Sequence, residues 1–303
     1  MREGLLKGWQ KVRNWLKPDP EFREYRLRCP DGKGSHRMAY RLWGDPGNPR
    51  VLVCVHGLTR NSHDFDFFAR SLARHYRVVC PDVVGRGQSD WLADKAAYAI
   101  PQYVSDMLVL LARLDVEQVD WLGTSMGGLI GMALAALPDS PIQRLVLNDV
   151  GPVISRTSLQ RIATYVGQPL HWDTLEAAGA YFRNICAPFG ALEPGQWQHL
   201  IQHSLVQGAD GSWRFSYDPD IAQPFRSAYL LQDVELWSLY EAIHCPVLAI
   251  RGAKSDLLTQ EVWRAMGERG PRARLAEIPG VGHAPTLMDE SQMRLVRDYL
   301  LGA

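Results

Sequence analysis

The chain has 303 residues, 46% hydrophobic and 22% charged, a balance that excludes an intrinsically disordered protein and allows a large core. Lys+Arg and Asp+Glu both total 33, so the formal net charge is zero and no global field draws in a polyanion; nucleic acid is not the expected partner. The longest nearly apolar stretch, Gly127 to Pro138, is well short of the roughly 20 residues a membrane-spanning helix needs.

Residues 1–17 place Leu5, Trp9, Val12 and Leu16 near helical spacing among Lys7, Lys11, Arg13 and Lys17. This predicts an amphipathic N-terminal helix over residues 1–20, resting on its own domain, on a partner subunit or on a membrane surface. Arg2, Glu3, Lys7, Lys11 and Arg13 interrupt any apolar signal core, and no small-residue cleavage site follows. The five cysteines are scattered singly, without a CxxC pair or a dense framework, so a reducing, cytoplasmic setting is expected.

Phe22–Cys29 and Met38–Trp43 read as antiparallel strands around the turn-forming Asp31-Gly32-Lys33-Gly34. The pattern then changes. Val51-Leu52-Val53-Cys54-Val55 is a continuous apolar run, the mark of a strand covered on both faces. Helices near 61–74, 101–114 and 126–137 alternate with strands Val78–Cys80, Val119–Leu122 and Leu145–Asn148. The rhythm resumes with strand Val247–Ile250, a helix near 259–267, strand Arg274–Ile278 and a closing helix near 290–301. The fold class is therefore α/β, a mostly parallel central sheet with helices on both faces. Its core spans residues 21–150 and 239–303, split by an insertion over 151–238. Twelve aromatic residues, from Tyr165 to Trp237, crowd that insertion, which is expected to be a helical cap roofing an apolar pocket.

The strongest local signal is Gly123-Thr124-Ser125-Met126-Gly127, a G-x-S-x-G pattern where a buried strand gives way to a helix. Glycines two residues either side of the serine remove the Cβ atoms that would clash in so tight a turn. A serine hydroxyl is a weak nucleophile and needs a base, which needs an orienting group. Asp256 follows the strand ending at Ile250, and His283 follows the next strand within Pro279-Gly280-Val281-Gly282-His283. The chain order Ser125, Asp256, His283 is that of the nucleophile-elbow hydrolases.

With these motifs, and with His56-Gly57-Leu58-Thr59 and Pro81-Asp82-Val83-Val84-Gly85-Arg86-Gly87-Gln88-Ser89, the chain resembles the α/β-hydrolase fold superfamily, in particular its capped, esterase-like serine hydrolases. That resemblance covers residues 22–301. It implies an oxyanion hole built from the backbone N–H groups of Leu58 and Met126. It further implies a Ser125 nucleophile, a His283 base and an Asp256 acid, with Asp149 as the competing acid because some members of the fold place theirs after the earlier strand. The expected reaction is cleavage of a carboxylic ester or lactone through an acyl-enzyme, on a small-molecule acyl substrate and without cofactor or metal. Carbon–carbon or amide hydrolysis on the same triad, and a non-catalytic ligand-binding member of the fold, are the alternatives.

Four further features carry no chemistry in this reading. His56 is expected to hydrogen-bond the oxyanion loop, and Asp82 to organise its own loop. Gly85-Arg86-Gly87 lacks the residues of a phosphate loop, and His199 and His203, with Leu200 where a zinc protease carries Glu, are expected to be solvated cap histidines.

Overall fold

A computed structural model of the chain describes residues 22–226 and 232–302. The helix expected over residues 1–20, and the membrane or subunit contact assigned to 1–17, lie outside the described residues.

Strands β1 (Phe22–Asp31) and β2 (Gly34–Trp43) form the expected hairpin. Next come β3 (Val51–Val55), helix α1 (Asp66–Leu72), β4 (Arg77–Pro81), α2 (Ile100–Leu114), β5 (Val119–Thr124), α3 (Met126–Ala135) and β6 (Ile142–Asn148). The insertion carries α4 (Arg156–Ala163), α5 (Leu175–Ile185), α6 (Pro194–Ser204) and α7 (Trp237–Glu241). It is not purely helical: Leu205–Gln207 pairs with Trp213–Phe215 as a short hairpin. The chain then returns through β7 (Val247–Gly252), α8 (Gln260–Met266), β8 (Arg274–Ile278) and α9 (Glu290–Leu301).

The eight strands make one sheet in the order β1-β2-β4-β3-β5-β6-β7-β8. It is parallel from β4 through β8, with β2 antiparallel to both its neighbours. Side-chain alternation explains why the inner strands are continuously apolar: Val51, Val53 and Val55 of β3 enter the core on one face, Leu52 and Cys54 that on the other. Helices α2 and α3 cover the first face through residues such as Met107 and Ile130, and α1 and α9 cover the second through Phe68, Leu72, Val296 and Leu300. Helix starts follow local chemistry, with Thr259 accepting from the Val262 N–H and Asp289 from the Ser291 N–H. From β3 the chain leaves to β4 on one side and returns to β5 on the other. A crevice therefore opens at the carboxyl ends of β3 and β5, where open α/β sheets bind ligands.

One polar contact inside this frame carries a pH signature. His36, buried on β2, lies 3.1 Å from Asp31 of β1 and 3.0 Å from Asp106 of α2, and so ties the hairpin to the helix layer. Burial disfavours its charged form, but the two carboxylates outweigh that cost and raise its pKa above the ordinary 6.5. A raised folded-state value adds stability that is complete below the unfolded value and is lost as pH climbs through the folded one. The difference in melting temperature between the native chain and His36→Gln should therefore be widest below pH 6.5 and narrow above it, as thermal unfolding across a pH series would register.

Candidate active site

The site grows from the strand ends. β5 stops at Thr124 and α3 begins at Met126, so Ser125 alone makes the turn, with φ 53° and ψ −115°. A Cβ at Gly123 would sit 2.2 Å from the Gly127 carbonyl oxygen, and one at Gly127 would sit 2.0 Å from that of Val55. Both glycines are thus required by backbone contact, and they hold Ser125 up at the sheet rim.

His283, in the loop after β8, places Nε2 2.9 Å from Ser125 Oγ and Nδ1 2.7 Å from Asp149 Oδ2. A carboxylate accepts only, so Nδ1 bears the proton in the neutral ring, and the Nε2 lone pair is left to accept from the serine hydroxyl. The loop is held on both sides: the Asn148 amide donates to the Pro285 carbonyl at 2.8 Å, and the Gly282 N–H donates to the Pro188 carbonyl of the insertion at 2.7 Å.

The carboxylate at the imidazole is Asp149, and this corrects the expectation for Asp256. The Asp149 side chain is 0% exposed, whereas that of Asp256 is 52% exposed and forms a two-point ion pair with Arg161 of α4. Strands β6 and β7 are neighbours, so both of their carboxyl ends reach the same rim. Asp149 follows β6 directly, in a left-handed conformation (φ 57°) that Asp tolerates better than most residues. Asp256 comes four residues after β7, beyond a turn in which its neighbour Ser255 points inward. Ser255 donates to Asp149 Oδ2 at 2.7 Å and the Gly252 N–H donates to Oδ1 at 2.8 Å, so β7 contributes donors to the carboxylate rather than the acid itself.

The remaining expected residues lie where the chain turns away from the sheet. Met126 is the first residue of α3, so its N–H has no acceptor within the helix, and Leu58 lines the cleft beside Ser125. His56 spans the Gly57 carbonyl (2.7 Å) and the Val83 N–H (2.9 Å). Burial lowers its pKa to about 4, which keeps it neutral and its tautomer fixed. Asp82 accepts from the Ser62 and Gln88 N–H groups, joining the two loops at the rim.

Sequence reasoning missed Arg86. Its guanidinium is fully buried and donates to the Leu58 carbonyl at 2.8 Å, to the Val84 carbonyl at 2.7 Å and to Tyr103 Oη at 3.0 Å, with Nη2 3.6 Å from Met126 Sδ. A single cation thus touches both residues assigned to the oxyanion hole. A charged residue between two glycines just after a buried strand was the available signal.

The cleft has a volume of about 110 Å³. The core supplies Ser125, His283 and Leu58 to it; the insertion supplies Ile162, Tyr165 and Phe189. Much of the aromatic content lies elsewhere: Trp172, Tyr181 and Phe215 pack on one another at centroid distances of 5.2 to 6.3 Å, and Trp172 and Phe215 rest against a small core that includes Ala178, Phe182, Leu200 and Ile201.

An elbow serine bonded to a histidine and a buried aspartate, on a sheet of this order, is the architecture of one family. The family model described as alpha/beta hydrolase fold matches residues 50–288, and the chain belongs to that family and is a hydrolase. A 3-hydroxybutyrate-oligomer hydrolase of Cupriavidus necator is 52% identical over 284 residues, spanning 91% of this chain and 97% of that protein. The esterase YbfF of Escherichia coli is 25% identical over 84% of this chain and 94% of its own length. Among solved structures, an alpha/beta hydrolase from Novosphingobium aromaticivorans superimposes with a TM-score of 0.82 at 35% identity, covering 94% of this chain and 99% of that one.

Two substitutions separate the carboxylates. Asp149→Asn should leave the fold intact and lower kcat by about 10⁴, because an amide at this position favours the wrong imidazole tautomer, while Asp256→Asn should leave kcat within about threefold. Steady-state kinetics on an activated ester would reverse the assignment if the two effects were exchanged. Replacing Arg86 with Met should lower kcat by up to about 10²–10³, the scale of losing one oxyanion donor, with KM little changed.

Proposed function

We propose that the chain hydrolyses carboxylic esters through a Ser125 acyl-enzyme, and that its substrates are short oligoesters of 3-hydroxy acids. The observation that carries the chemistry is the continuous hydrogen-bonded path from Ser125 Oγ through His283 to Asp149. The substrate class rests on the 52% identity, across nearly the full length of both chains, to a protein that acts on 3-hydroxybutyrate oligomers.

Ser125 Oγ attacks the ester carbonyl carbon as His283 Nε2 takes the hydroxyl proton. Negative charge then develops on the former carbonyl oxygen, facing the Leu58 and Met126 N–H groups. Each such fixed donor is worth about 2.7–4 kcal/mol of barrier. The tetrahedral species collapses, the C–O bond to the alcohol breaks, and that alcohol leaves with the proton His283 had taken. Water, deprotonated by the same Nε2, attacks the acyl-serine; the acid is released and the serine hydroxyl restored. Throughout, Asp149 holds the ring's tautomer and offsets its transient positive charge.

The cleft offers an acyl group apolar walls from Ile162, Tyr165 and Phe189 beside the Ser125 hydroxyl. The five cysteines, all free, support a reducing setting for the protein.

The purified protein should convert a 3-hydroxybutyrate trimer to shorter acids, followed by mass spectrometry, and should take up a fluorophosphonate label at Ser125. Ser125→Ala should abolish labelling and reduce turnover by roughly 10⁶. Persistent labelling and turnover in that variant would remove the nucleophile assignment. Efficient cleavage of simple esters with no action on the trimer would remove the substrate assignment alone.

A further inference from the structure

Outside the Ser125 relay, a second cluster of titratable side chains joins the core to the insertion. His63 and Asp66 stand where the loop after β3 runs into α1, and His199 and His203 lie one turn apart on α6. These last two are not the solvated cap histidines expected from the sequence. They are half-buried, with the His203 ring stacked on His63 at a centroid distance of 3.4 Å and 4.6 Å from the ring of His199. One ligand atom from each of the four residues lies within 4.8 Å of every other. Asp66 Oδ2 is 2.7 Å from His63 Nδ1 and 3.5 Å from His199 Nε2. Asp66 is only 8% exposed, and its other oxygen, Oδ1, is buried with no hydrogen-bond partner.

We infer that His63, Asp66, His199 and His203 form a binding site for one divalent transition-metal ion, zinc by its ligand chemistry, that pins the insertion to the core. Three imidazoles and one carboxylate are a closed four-ligand set of the kind that holds zinc structurally, with no position left open for a reacting water. At metal–ligand distances of about 2.0–2.2 Å, tetrahedral ligand atoms stand about 3.4 Å apart. The ligand atoms here lie within 4.8 Å of one another, so the side chains must draw together by at most about 1.4 Å to take an ion.

The backbones are already held at this junction. The Asn61 amide donates to the His203 carbonyl and Arg60 donates to Ser204 Oγ, each at 2.6 Å, and His199 Nε2 lies 2.9 Å from the His63 carbonyl oxygen. The nearby cations are paired, Arg41 with Glu24 at 3.1 Å and Arg60 with Asp64 at 2.5 Å. The assignment rests on this cluster and not on the proposed ester chemistry, and a metal here would brace the segment that continues from Leu58.

The test is titration of chelator-treated full-length protein with Zn²⁺ by calorimetry, and with Co²⁺ by visible absorption. One ion per chain, the intense visible bands of tetrahedral Co²⁺, and a melting temperature that rises with Zn²⁺ are expected. His203→Gln and Asp66→Asn should each weaken binding at least tenfold, whereas His171→Gln, at an exposed histidine of the insertion, should not. No saturable binding, a six-coordinate Co²⁺ spectrum in the native chain, or equal affinity in both cluster variants would overturn the assignment. The Co²⁺ spectrum of the native chain decides the matter even where a variant fails to fold.

Discussion

The arrangement at the sheet rim depends on one buried anion. A carboxylate with no exposed surface is sustained only when its lone pairs are met by donors, and Asp149 receives three: the Gly252 N–H, the Ser255 hydroxyl and His283 Nδ1–H. Those donors come from the ends of β7 and β8, while the aspartate itself leaves β6. Desolvation therefore obliges three separate strand termini to converge, and that convergence carries His283 to Ser125. A single buried charge thus connects the packing of the sheet to the chemistry proposed for it.

A second buried charge performs the corresponding task on the other side of the serine. Arg86 has no solvent exposure, and its guanidinium meets two carbonyls, a phenol and a thioether. Stacking near Tyr103, whose ring centroid is 5.0 Å from the guanidinium carbon, adds a further favourable contact. Because the guanidinium is a planar fork of fixed geometry, it sets the distance between the loops it joins more stiffly than a flexible ammonium would. Together with His56 and Asp82 it makes the loop after β3 a rigid wall of the cleft.

The insertion packs on a small apolar core that Met288 and Phe67 of the main domain share, and polar contacts tie it down at two places. Arg161 reaches out of α4 to Asp256 after β7, while Arg60 and the His63–Asp66–His199–His203 cluster join the loop after β3 to α6. Cleft shape and cap docking are therefore coupled. Whatever holds α6 against the loop after β3 also holds Leu200 in the lining of the cleft that Leu58 shares.

Local patterns were enough to determine much of this. The continuous run Val51–Val55 declared a strand covered on both faces; the Gly123–Gly127 spacing declared a turn that only glycines permit; the strand–helix rhythm placed helices near 259–267 and 290–301. Each of these is written in neighbouring residues, since strand burial, turn sterics and capping act over a few positions. What only the tertiary structure decided was the pairing of side chains far apart in the chain. Asp149 and Asp256 each follow a strand of the right kind, and two adjacent strand ends offer a carboxylate equally well until packing shows which is buried against His283 and which is drawn to Arg161. His36 between two carboxylates, Arg86 beneath the loop after β3, and His63 with Asp66 beside the α6 histidines were invisible for the same reason. Desolvation and hydrogen bonding are properties of a place in the fold, and no spacing along a single sequence records which distant group will occupy it.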